Sequence, residues 1–116
     1  MKVWIGKTVA LIGIIHTVFG FFVFWNVIGE IIAEGFFDTV QEQDNRNYAL
    51  WFIFFGFITV ILGLLVNYLE GSNIALPRFL GWSLLALTLF LVAIMPISGG
   101  WLLLIPAGGA IYRQFQ

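Results

Sequence analysis

Four apolar stretches decide what this chain can fold into. They run from about Trp4 to Trp25, Tyr48 to Leu69, Leu76 to Met95 and Gly99 to Tyr112. The first three each approach the ~20 residues that cross a ~30 Å hydrocarbon layer at about 1.5 Å per residue. Lipid satisfies no backbone N–H or C=O, so open-ended segments within it must be helices. The composition argues against a soluble core. Of 116 residues, 61% are hydrophobic and only 9% charged, with a mean hydropathy of +1.03, whereas soluble domains carry about 25% charge. The expected fold is all-α, a single integral membrane domain over residues 1–116. It is a four-transmembrane-helix bundle, with helices at about 4–25, 48–69, 76–95 and 99–112 and an acidic joint at about 27–47.

The fourth stretch is the shortest, and Pro106 sits in its middle. Proline cannot donate to the carbonyl of Leu102, which predicts a kinked short fourth helix, with a re-entrant segment as the alternative. Lys2 and Lys7 ahead of an apolar run raise the question of a signal peptide. The run from Thr8 to Trp25 is longer than such peptides use, and no small-x-small cleavage site follows, so a retained helix is expected. Glu70-Gly71-Ser72-Asn73 reads as a polar turn, and Pro77 suits the first turn of the next helix. Pro96-Ile97-Ser98-Gly99-Gly100 reads as a tight uncharged connection.

With four crossings, Lys2, Lys7, Arg78 and Arg113 fall on one side and only Arg46 on the other. The positive-inside rule then places both termini in the cytoplasm of a multi-pass protein. Gly6, Gly13 and Gly20 recur every seven residues, as do Ala49, Gly56 and Gly63. Such a period keeps small residues on one seam, and close backbone approach drives helix association in lipid. The two seams are expected to face each other in an antiparallel pair.

His16, the only histidine, lies deep in the first helix and shares its glycine seam by i, i+3 and i+4 spacing. An ionisable residue there is a candidate ligand-binding or proton-relaying group. The plainer expectation is a neutral ring bonded to a hydroxyl or carbonyl of a neighbouring helix. Glu30, Glu34, Asp38 and Glu42 stand four apart, with Val27, Ile28, Ile31 and Ile32 opposite them. They read as a solvated face of an interfacial helix, which Gly35 interrupts, or as a site for a cation or basic partner. Glu30 is nearest the membrane and follows His16 and Val23 at seven-residue steps, so it is the second candidate, at the mouth of a cavity that His16 would floor. The two lie about 20 Å apart along one helix and cannot bond directly. Ser and Thr in the apolar stretches are expected to bond their own backbone.

Scattered basic residues and a net charge of −1 argue against nucleic acid. The absence of cysteine excludes disulfides, thiolate catalysis and cysteine-ligated metals. One histidine without nearby acids does not suggest a metal, and haem would need a second ligand or a dimer. No phosphate loop, HExxH, nucleophile elbow or dinucleotide fingerprint occurs, so neither an enzyme nor a cofactor is expected.

The order of features is itself recognisable: Gly13-Ile14-Ile15-His16-Thr17-Val18-Phe19-Gly20, then Glu34-Gly35-Phe36-Phe37-Asp38, then Trp51-Phe52-Ile53-Phe54-Phe55-Gly56, and finally Met95-Pro96-Ile97-Ser98-Gly99-Gly100-Trp101 with Pro106. It resembles, over nearly the whole chain, a family of small uncharacterised bacterial membrane proteins catalogued as a domain of unknown function. The resemblance implies a four-helix inner-membrane protein and carries over no activity or site residue. The leading expectation is a non-enzymatic binding or accessory protein for lipid or another apolar ligand. The alternatives are a small dimeric proton-coupled transporter and a quinone- or haem-handling redox subunit. Expected partners are membrane lipids, with a homo-oligomer left open.

Overall fold

The computed structural model describes residues 3–40, 44–96 and 99–115. Lys2, Glu42, Ile97 and Ser98, invoked above, lie outside the described residues. Among the described residues five α-helices follow one another: α1 Ile5–Val23, α2 Trp25–Ala33, α3 Asp44–Gly71, α4 Arg78–Ile94 and α5 Leu104–Arg113. A 3₁₀ turn at Gly99–Leu103 precedes α5. The fold is all-helical, with no strand among the described residues.

The two glycine seams meet, and α1 packs along α3 over its length. A Cβ placed on Gly13 would stand 2.7 Å from the backbone nitrogen of Val60, and one on Gly20 would stand 2.7 Å from the Phe52 ring. At Gly63 it would collide with the backbone of Ala10, and at Gly6 with that of Asn67. These helices touch backbone to backbone, and only glycine leaves room for that. Thr8, Thr17, Thr59 and Thr88 each donate to the carbonyl four residues back, at 2.7–2.9 Å, so their hydroxyls need no partner from another helix.

Helix ends follow local chemistry. Gly35 stops α2 with φ +92°, while its N–H donates to Ile32 O and that of Phe36 to Ile31 O. Asn73 does the same for α3 with φ +57°, through Asn73 to Glu70 O and Ile74 to Leu69 O. Both are left-handed caps that satisfy the last carbonyls. Pro77 is the cap of α4, one residue earlier than expected. The fourth stretch is not one kinked helix. Pro106 sits in the first turn of α5, behind the 3₁₀ turn, where its missing N–H has no intrahelical acceptor to lose. The acidic joint is partly helical, since α2 follows α1 across Phe24 and packs on α3.

The helices form two hairpins, α1 with α3 and α4 with α5. No Cα of α4 comes within 8 Å of α1 or α3, and the hairpins meet where α5 and the 3₁₀ turn touch α1. A shared core closes one end, built from Ile5, Val66, Leu80, Leu84, Ala107 and Ala110. Trp4 covers Gly109 there so closely that a Cβ would strike its ring. Elsewhere large apolar side chains point outward, among them Phe22, Trp51, Ile61, Leu64 and Phe79. Two helices, α1 and α3, are long and apolar enough to cross a membrane, while α4 is apolar but has 17 residues.

The same substitution should have opposite effects at two glycines. Gly63→Ala forces a methyl into the Ala10 backbone and should cost about 1–3 kcal/mol. Gly29→Ala, on an open face of α2, should gain about 0.5–1 kcal/mol from helix propensity. Unfolding in one mild detergent measures both, and equal effects would contradict the close α1–α3 contact.

Candidate functional site

The hairpins part away from the closed end and leave a cleft of about 720 Å³ between α1, α3, α4 and the 3₁₀ turn. His16 of α1 lies on its wall with Phe52, Phe55 and Thr59 of α3, facing Leu87, Phe90 and Leu91 of α4. The His16 ring stacks on Phe52 at 3.8 Å and 18°, and meets Phe55 edge-on at 5.3 Å. Its Nε2 lies 2.8 Å from the Phe52 carbonyl oxygen. A carbonyl only accepts, so Nε2 carries the proton and donates. Gly56 makes this arrangement possible, since a Cβ there would stand 3.1 Å from His16 Cδ2 and collide with the Thr17 hydroxyl. His16 thus bonds a carbonyl of the neighbouring helix, as the plainer expectation had it, and its ring also borders the cleft.

Glu30 is not at that cavity. Its carboxylate stands 3.4 Å from Arg46 Nη2, and Glu34 makes a shorter pair with the same nitrogen. Arg46 Nη1 also donates to Thr39 O at 2.6 Å. The guanidinium is buried while both carboxylates remain half-exposed. Glu30 and Glu34 therefore fasten α2 and the following loop onto the start of α3, and His16 and Glu30 are not brought together. The hydrogen bond from Arg46 lowers the Glu34 carboxyl below its ordinary range; partial burial opposes this, and the guanidinium charge adds to it.

Glu70 is the residue that the sequence pattern hid. Assigned there to a polar turn, it is 1% exposed. Its Oε1 accepts from Gly6 N at 2.6 Å, and its Oε2 from Ile5 N at 3.3 Å and Trp4 N at 3.4 Å. Arg113 Nη1 donates to Oε2 at 2.5 Å. One carboxylate thus caps the N-terminus of α1, where the helix dipole favours negative charge, and pairs with the last turn of α5. The available signal was α1 itself, which begins Trp4-Ile5-Gly6-Lys7 with no Ser, Thr, Asp or Asn to cap it. Its first N–H groups had to find an acceptor elsewhere.

Glu70→Gln breaks the buried pair with Arg113 and weakens the cap on α1, and should destabilise by about 3 kcal/mol, as breaking buried pairs does. Glu30→Gln, in a half-exposed pair, should cost below about 1 kcal/mol. Equal losses on unfolding would mean that the clamp is no stronger than a surface pair. Because the Glu34 carboxyl is lowered, its tie to Arg46 stabilises above the ordinary carboxylate range and is lost as pH falls through the lowered value. Melting temperature against pH should therefore fall less steeply on acidification in Glu34→Gln than in the wild type.

No curated protein and no solved structure matches the chain. A family model described as Family of unknown function (DUF6463) matches residues 1–116, and the chain belongs to that family.

Proposed function

We propose that this chain is a small multi-pass membrane protein, not an enzyme, that holds an apolar ligand in the cleft beside His16. The observation that carries this is the cleft itself, walled almost wholly by apolar side chains and set in a molecule whose outer surface is also apolar. Its volume falls within the roughly 300–1,000 Å³ of small-molecule sites. The length and apolar character of α1 and α3 support their crossing the bilayer. Helix α4 spans about 25 Å and the 3₁₀ turn with α5 about the same, which suits a locally thinned bilayer. Lys7, Glu70, Arg78 and Arg113 then share the cytoplasmic end, with α2 at the opposite surface. A proton-coupled transporter has less support, because Glu30 is committed to Arg46.

The chain has no cysteine, so single cysteines report topology. A membrane-impermeant maleimide applied to intact cells should label Asp38→Cys and spare Gln114→Cys. Labelling of both would overturn the four-crossing arrangement. Native mass spectrometry in mild detergent should find a small apolar molecule on the wild type and lose it on Leu91→Trp, which fills the cleft. A wild type that carries nothing, and takes up no added alkylphenol, would end the binding proposal.

A further inference from the structure

We infer that the cleft selects apolar ligands that bring one hydrogen-bond donor, an alcohol or phenol, to Nδ1 of His16; this rests on the cleft being a binding site. Two polar side chains reach the cleft, and both have already spent their protons. His16 Nε2–H donates to the Phe52 carbonyl, and the Thr59 hydroxyl donates to the Phe55 carbonyl at 2.8 Å. The remaining wall is aliphatic, aromatic or thioether. No carboxylate lies in it, and apolar surroundings disfavour a charged ring. A neutral imidazole protonated at Nε2 offers Nδ1 as a bare acceptor, and no hydrogen bond to Nδ1 forms among the described residues. The Thr59 oxygen likewise only accepts. The cleft therefore presents acceptors and no donor.

Such a wall discriminates by chemistry rather than by shape. A ligand whose polar atoms only accept, an ether, ester or ketone, meets lone pair with lone pair. A hydroxyl completes a hydrogen bond. Depth narrows the class further. His16 stands eleven residues after Ile5, about 17 Å along α1, in the middle of the proposed bilayer. A phospholipid headgroup stays at the interface, and its acyl chains carry no donor. The ligand fitting both constraints is a mostly hydrocarbon molecule with a single small hydroxyl.

The probes are 4-octylphenol and 4-octylanisole, which share an apolar body and differ in the donor. Titrated into the full-length protein in mild detergent, the phenol should bind severalfold to about tenfold more tightly, the range of one net hydrogen bond. His16→Phe should keep anisole binding and reduce the preference to about twofold or less. Because this variant could fail to fold, a second measurement uses the wild type. With ¹⁵N-labelled histidine the chain gives signals from one residue only. The Nδ1 resonance should shift as a bare acceptor gaining a proton donor when phenol is added, and stay in place with anisole. Equal affinities with no selective Nδ1 shift would overturn donor selection while leaving the cleft a binding site. A preference that persists in folded His16→Phe would overturn it too. Binding of neither probe would overturn both proposals together.

Discussion

Helix α1 starts without a polar residue at its cap, and its first backbone N–H groups lie against α3 and α5 rather than in water. Buried donors of this kind are costly to leave unmet. Glu70 meets them from the C-terminal turn of α3, a position where its own helix dipole disfavours a negative charge. That local disadvantage is offset by three N–H groups and the Arg113 guanidinium. The tie fixes which ends of three helices lie together. The register of the α1–α3 seams follows from it, and so does the placement of α5 against α1.

The cleft is the complement of that closure. Two hairpins that share a core at one end, with the α4 backbone held off the α1–α3 pair, leave space farther along. His16 lies where α1 and α3 are held together by glycines, so its ring can reach a main-chain carbonyl of α3 and still border the cleft. The close helix contact and the single polar group of α1 in the cavity wall are products of the same seven-residue spacing.

Much of this was legible in the residues. Hydrophobic length marked the helical stretches, and the glycine periods marked the seam, because both are local and repetitive. His16 could be assigned to a protein-facing position by its spacing from Gly13 and Gly20. Other features depended on partners far along the chain. Glu70 finds residues more than sixty positions earlier and Arg113 more than forty later, and no local pattern connects them. Glu30 was misplaced for a related reason: its register pointed back toward His16, but the chain turns at Gly35 and brings Arg46 within reach instead. Pro106 looked like a kink only because the helix was assumed to begin at Gly99. The 3₁₀ turn moves the α-helical start to Leu104 and makes the proline an ordinary first-turn residue.

The Glu70 junction also has an order in time. During synthesis α1 and α3 are both complete before α4 or α5 exists, so the seam can close and the carboxylate can occupy the end of α1 early. Its counter-ion arrives only with α5. Until then the assembled pair holds a carboxylate against backbone alone, beside a surface meant for Leu80, Leu84, Ala107 and Ala110. Docking of the second hairpin covers that surface and neutralises the charge in one step. The same residue that ties α1 to α3 therefore also registers the arrival of α5, and a nascent chain that has not yet made α5 carries an unbalanced charge at the helix junction.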